Sequence, residues 1–456
     1  MARVLYWNIE QFGINKINNP SMARQTGSTL SRNVASGQRL WHILNTFFLN
    51  IPDIFVVVET STGAGNGEGS LITAGGRDGA LELLNLLRVY FGNQWKLVPP
   101  LILGGMNRTE GISVYYNSNN LNFSGPWGWQ GGGNASDSVA NIGAGNLVTY
   151  ANPWDNCLPA TLVPQLSPIN PGVNSNRLAG QWQFRGVPPL GGGLGPLLNF
   201  PAADYRPPFL TTFWDAANNR TIKLFAYHAP PHNPAAANGT NTISQIDEII
   251  NLGANEVAVV VGDFNVDIND APNVATAYNN LVGLGYTRHI NPSPAPATYP
   301  AQGYVSTHMK QGGKRGATPW DTNGYPAYGY AVTEFRGRNT SSIDNILTRY
   351  GGLGAGGPAA NMTIVNRVTG TPYNLDPNPP VGVPAGHYAY TTGMVQIPVG
   401  IVNAGAPVAL PLPPNGPNGV GGYTPGNIGA LSYFRGWDNY GKIRSTSDHM
   451  ALIIDI

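Results

Sequence analysis

Cysteine and charge are what this sequence has least of. Cys157 is the only cysteine, so no disulfide can form within the chain, which excludes a small disulfide-stapled scaffold. Charged residues are 11% of the total, well under the ~25% of an average globular domain. The formal net charge is +1, so no global field draws a polyanion, and a nucleic-acid site has to rest on a local patch. No run of about 18 uninterrupted apolar residues occurs, so no membrane-spanning helix is expected. The opening residues, Met1-Ala2-Arg3-Val4-Leu5-Tyr6-Trp7-Asn8, enter a strand-like pattern directly, without a basic segment and a long apolar stretch. That predicts no signal peptide, and hence a cytoplasmic protein or one exported by a leaderless route.

Apolar and aromatic residues are plentiful, at 42% and 10%. They supply a large core and argue for a folded chain. The 59 glycines and 39 prolines are densest, with asparagine, in three stretches at about 121–200, 291–340 and 351–430. Structureless loops longer than about 15 residues are uncommon inside compact domains, so these stretches read as insertions with some irregular strand structure or as lobes. Between them, apolar patterning predicts strands at 4–9, 53–58, 111–116, 209–214, 221–227, 257–261, 343–347 and 450–454, and helices at 38–49, 79–90 and 243–252. Strands alternate with helices early and dominate later. That order fits an α/β protein with packed sheets covered by helices.

In a charge-poor chain, four acids fall at strand ends. Glu59 closes the run from Asp53. Asp263 stands in Gly262-Asp263-Phe264-Asn265, Asp344 in Ser342-Ile343-Asp344, and Asp448 precedes His449. Strand ends are where a rigid scaffold meets solvent. Oxygen ligands suit a hard cation, and no Cys/His spacing for zinc is present. Gly262 is expected to let the chain turn sharply off its strand, so that an acid and an amide project together.

Trp7-Asn8-Ile9-Glu10, Pro52-Asp53-Ile54 with Glu59, Arg206-Pro207-Pro208-Phe209, His228-Ala229-Pro230, Gly262-Asp263-Phe264-Asn265, Ser342-Ile343-Asp344 and Ser447-Asp448-His449 occur in this order. Together they resemble the endonuclease/exonuclease/phosphatase superfamily, and within it the deoxyribonuclease I-like branch. The resemblance runs nearly end to end. It implies one catalytic domain over 1–456, in place of the three that length alone suggests. The implied fold is a four-layer sandwich, two packed mixed β-sheets flanked by helices, with the three stretches as insertions.

The resemblance implies a divalent-metal-dependent phosphodiester hydrolase, an endonuclease with DNA as its nucleic-acid substrate and Mg2+ as cofactor, or Ca2+ or Mn2+ in its place. Asn8, Glu59 and Asp448 match the family's metal-binding positions, with Glu10 as a further candidate acid. Asp263 and Asn265 match the pair at the scissile phosphate, and Arg206 an arginine near that phosphate. His449 matches a catalytic histidine oriented by Asp344. His228 matches the second histidine of the deoxyribonuclease-like branch, with Glu110, in Arg108-Thr109-Glu110, as its orienting acid. His449 is read as base and His228 as acid.

The superfamily also contains sphingomyelinases, inositol-phosphate phosphatases and deadenylases, and fold does not choose among them. A phospholipid hydrolase of the sphingomyelinase kind, or another small phosphodiester or phosphomonoester hydrolase, is the second expectation. Trp127, Trp129, Trp154 and Trp182 are its candidate membrane-facing aromatics, with core packing as their alternative. A non-catalytic binding or assembly protein is the third, and the full set of acids and histidines argues against it. Of the other histidines, His42 reads as a core or cap residue, and Pro230-Pro231 should turn His232 away from the site. Arg435, Lys442 and Arg444 could approach a polyanion from the segment before Ser447.

Overall fold

The structure, a computed structural model, describes residues 1–18, 40, 43–44, 46–48, 50–63, 71–104, 109–125, 141–142, 148–149, 154, 157, 206–268, 270–291, 307–309, 340–341, 343–352, 362–365, 401–403, 406–408, 447, 449 and 451–456. Most of the three Gly/Pro/Asn-rich stretches lies outside these residues, as do Arg108, Asp448, His42, Trp127, Trp129, Trp182, Arg435, Lys442 and Arg444. In chain order the elements are β1 (Arg3–Phe12), α1 (Ile14–Asn18), β2 (Ile54–Thr60), α2 (Ala74–Phe91), β3 (Trp95–Val98), β4 (Ile102–Leu103), β5 (Glu110–Asn117) and β6 (Leu121–Gly125). There follow β7 (Asn141–Ile142), β8 (Val148–Thr149), β9 (Phe209–Asp215), β10 (Arg220–His228), α3 (Ala235–Ile243), α4 (Asp247–Ile250), β11 (Glu256–Asp263), α5 (Ala271–Gly283) and β12 (Thr287–Arg288). The last are β13 (His308–Met309), β14 (Thr340–Ser341), β15 (Asp344–Tyr350), β16 (Met362–Val365), β17 (Ile401–Asn403), β18 (Ala406–Val408) and β19 (Ala451–Asp455).

Two sheets hold most of the strands. The first runs β16-β19-β1-β2-β5-β3, with β4 also on β5, and the second runs β12-β15-β11-β10-β9-β6. Both are mixed: β1 is parallel to β2 and β10 to β11, while β2–β5 and β11–β15 are antiparallel. Parallel neighbours in the middle of each sheet are covered on both faces, so they read as unbroken apolar runs. Ile54 to Val57 in β2 and Val257 to Val261 in β11 are all fully buried. The inner faces meet at Tyr116 of β5 and Phe213 of β9, whose ring centroids are 5.1 Å apart.

Helices cover the outer faces. On α2, Ala80, Leu83, Leu84, Leu87 and Phe91 are buried, which is the i, i+3, i+4 stripe of a core-facing helix. Tyr115 of β5 donates its hydroxyl to the Ala80 carbonyl at 3.0 Å. Residues 43–44 and 46–48 are also helical, and Phe47 lies 4.8 Å from Trp95. Behind the second sheet, Phe264 sits between Tyr227 of β10 at 5.9 Å and Tyr278 of α5 at 5.5 Å. The order helix, sheet, sheet, helix is the four-layer arrangement expected.

The helix boundaries depart from the sequence reading. α2 begins at Ala74, five residues before 79, through Gly75 and Gly76. Glycine is a poor helix former, but a Cβ at Gly76 would lie 1.5 Å from the Ser61 carbonyl oxygen, so packing overrides propensity. The helix read over 243–252 is the last residue of α3 and the short α4, parted by a turn at 244–246. α3 itself has the sequence AAANGTNTI, with a glycine and no sustained large-residue stripe, so pattern alone does not single it out.

Candidate active site

Register places the acids and one histidine in a row. His228 ends β10 opposite Asp263 of β11, and Asp263 lies opposite Asp344 of β15. From the first sheet, Asn8 of β1 lies beside Val58 of β2, next to Glu59, and Glu110 opens β5. His449 sits two residues before β19.

Irregular backbone aims these groups. The β1–β2 ladder shifts register between Asn8 and Phe12, and the β2–β5 ladder between Val57 and Thr60. Bulges of this kind re-aim side chains beside sites. Glu10 (φ 40°), Gln11 (φ 54°), Glu59 (φ 61°) and Asn265 (φ 50°) are all left-handed. Such a conformation is uncommon for residues other than glycine, and it clusters where function demands it. The turn off β11 was expected at Gly262, but it falls at Asn265. Gly262 stays in the strand; it is glycine because a Cβ there would lie 1.9 Å from the Tyr227 carbonyl oxygen.

Each histidine meets a carboxylate from the opposite sheet. His449 Nδ1, beside β19, lies 2.8 Å from Asp344 Oδ2 on β15. His228 Nδ1, on β10, is hydrogen-bonded to Glu110 Oε2 on β5. The other ring nitrogens converge: His228 Nε2 and His449 Nε2 lie 3.4 and 3.5 Å from the same atom, Asp263 Oδ2. Asn8 Nδ2 is 2.9 Å from Glu59 Oε1, 3.3 Å from Asp263 Oδ2 and 3.3 Å from His449 Nε2.

The surroundings set proton affinities. Burial raises Asp263 to a pKa of about 6, and Asp344 adds to this, while both histidines and the Asn265 backbone N–H pull the other way. Burial pushes His228 down, but Glu110 and Asp263 outweigh it and the net shift is upward. Burial likewise opposes ionisation of Glu110, yet His228 and Arg206 hold its pKa below the usual value. Burial and then the Asp344 charge push Tyr6 well up, so its hydroxyl keeps its proton and donates to Asp344 Oδ1 at 2.8 Å.

Glu59, Asp263 and His449 each offer a ligand atom, all within 4.8 Å of one another. The two carboxylates suit a hard divalent cation of the Mg2+ or Mn2+ kind, for which the imidazole is a poor ligand, and a cation would relieve the buried negative charge around Asp263. Asn8 Oδ1 accepts from the Glu10 backbone N–H at 2.9 Å, so an oxygen ligand from Asn8 needs the amide turned over. The Glu10 carboxylate points toward Lys16, with Oε2 3.9 Å from Nζ. Arg206 pairs with Glu110 at 2.9 Å. Arg206 and Asn265 both donate to the Ala229 carbonyl, at 3.4 and 3.0 Å. Asp448 lies outside the described residues.

Four contributors carried no role in the sequence reading: Tyr6, Ser447, Thr307 and His308. Ser447 is fully buried, donates its hydroxyl to the Asn8 carbonyl and accepts from the His449 backbone N–H at 2.9 Å. Tyr6 stands two residues before Asn8, hence on the same strand face, which is a signal the sequence does contain. Thr307 and His308 had none. Of the remaining candidates, His232 is exposed, His289 bonds Thr348, and Trp154 is buried at 3% exposure.

No protein-family model and no curated protein sequence matches the chain. Solved structures do. D. rerio TDP2 complexed with single-strand DNA product is similar at 9% identity over 99% of this chain and 97% of that one, with a TM-score of 0.39. The human Nocturnin catalytic domain with bound sulfate is similar at 11% identity over 100% and 93%, also at 0.39. An endonuclease/exonuclease/phosphatase family protein of Bacteroides thetaiotaomicron is similar at 11% identity over 99% and 96%, again at 0.39.

Proposed function

We propose that the protein is a divalent-metal-dependent phosphodiester hydrolase, and that it cleaves DNA as an endonuclease. The observation that carries this is the convergence of two imidazole Nε2 atoms on Asp263, each ring held from behind by its own carboxylate. A neutral histidine bonded through Nδ1–H to a carboxylate presents a basic Nε2; a protonated one presents an N–H. His449 acts as the base that takes the proton of the attacking water. His228, whose proton affinity is raised, gives its proton to the leaving oxygen. Arg206 and Asn265 donate hydrogen bonds to phosphoryl oxygens. Glu59, Asp263 and Asn8, with Asp448, would hold a divalent metal, which supplies Lewis-acid stabilisation of the phosphoryl charge.

The test is plasmid nicking by the purified protein. Nicking is expected with Mg2+ and is abolished by EDTA and by His449→Ala. Nicking that survives both controls rules out this mechanism, and no nicking with Mg2+ rules out the DNA reading. One observation favours a second substrate, a small phosphodiester such as a phospholipid headgroup. Among the described residues, the basic side chains paired with candidate site residues are Arg206 and Lys16, both buried, whereas a polyanion track calls for a row of accessible cations. Release of the headgroup from sphingomyelin, without plasmid nicking, selects that substrate.

A further inference from the structure

His308 lies on β13, which pairs with β14 in a two-stranded ribbon. It also forms an antiparallel bridge with His449, and the two imidazole rings lie 4.6 Å apart at 43°. The preceding residue, Thr307, is fully buried, and its Oγ1 accepts the backbone N–H groups of Ile343 and Asp344, each at 3.1 Å. The same ribbon therefore touches both members of the His449–Asp344 pair. Its origin is tied to the same place. Ile290, where the described chain approaches the second insertion, exchanges two hydrogen bonds with the Asn345 side chain, at 3.0 and 2.9 Å. Ile290 and Thr307 thus both bond to the start of β15.

We propose that His308 is a positioning residue for His449. His449 is held along its edge, at Nδ1 by Asp344 and at Nε2 by Asn8 Nδ2 at 3.3 Å, and edge contacts of this kind still let a ring tilt about the line that joins them. A second ring packed against it, on a strand fixed by Thr307, removes that freedom and keeps Nε2 directed at Asp263. A group held by packing as well as hydrogen bonding is what an accurate site requires, and ring pairs at this separation are favourable. Flat shape is the property used, not a proton on His308. The kinetic consequence rests on the hydrolase reading; the positioning itself does not.

The experiment is NMR of the His449 Nδ1 proton in the full chain without added metal, alongside steady-state kinetics with metal. Wild type and His308→Phe should both show a downfield Nδ1 proton protected from solvent exchange. In His308→Ala it should exchange at least ~10-fold faster, with kcat reduced about tenfold and KM unchanged, whereas His308→Phe stays within about twofold of wild type. If the alanine variant does not fold, His308→Leu, which fills the space without a flat ring, takes its place with the same expectation. Equal protection in wild type and the alanine or leucine variant overturns the proposal. So does loss of protection in His308→Phe, because then the ring's chemistry and not its shape is required. A protected proton that depends on His308, in a protein inert toward phosphoesters, supports the positioning and overturns the hydrolase reading instead.

Discussion

Asp344, which holds His449, has a fully buried side chain, while Glu110, which holds His228, keeps 21% of its side chain exposed. The second partners differ as well. Asp344 receives a neutral hydroxyl from Tyr6, and Glu110 receives the Arg206 guanidinium. The same two functional groups are therefore set in a dry, neutral frame on one side of Asp263 and in a charged, water-accessible frame on the other. A carboxylate behind a histidine orients the ring in both cases, but its other partner decides how strongly it holds the proton. Both pairs also span the gap between sheets, so sheet packing and the alignment of the two rings are one requirement.

The largest effect should come from removing either ring. His449→Ala and His228→Ala are each expected to lower kcat by about 10²–10⁴, the usual contribution of a positioned acid or base. If the rings serve one proton-transfer sequence, the double variant should fall well short of the product of the two losses. Fully multiplicative losses would break the idea that the two pairs act as a unit.

Stability gives the next largest contrast. Tyr6→Phe removes a donor from a buried carboxylate, which should cost ~1.5–3 kcal/mol. Arg206→Met removes the partner of a carboxylate that water can still reach, so it should cost less. Urea denaturation of the two variants ranks them. A larger loss for Arg206→Met would invert the assignment of the dry and wet sides.

Much of this frame was legible in the sequence. The covered parallel strands announce themselves as unbroken apolar runs; Glu59, His228 and Asp263 stand at or near their ends, Asp344 opens β15, and register brings His228, Asp263 and Asp344 together. The irregular features were not legible. Nothing in residue type marks Glu10, Gln11 or Glu59 as left-handed, and the residue rule put the turn on Gly262 although the chain makes it at Asn265. Gly262 answers instead to the neighbouring strand's backbone. Tyr6 lies 338 positions from Asp344, and no local pattern pairs residues so distant. Thr307 and His308 follow a Gly/Pro/Asn-rich stretch in which no periodicity survives to suggest that a strand returns to the site.

The smallest effect, a movement of pH dependence, is also the most discriminating. Glu110 raises the proton affinity of His228 and Arg206 lowers it. If His228 is the acid, activity requires its protonated form and is lost as pH rises through its pKa, so this group sets the alkaline limb of kcat/KM. Glu110→Gln removes a raising influence and should move that limb to lower pH. Arg206→Gln removes a lowering influence and should move it to higher pH, alongside any rise in KM from a lost phosphate contact. The two substitutions alter the same hydrogen-bonded cluster, so a general disturbance would move the limb in one direction for both. Shifts of opposite sign assign the limb to His228. An alkaline limb that ignores both substitutions removes His228 from the role of acid and leaves the two pairs to exchange their parts.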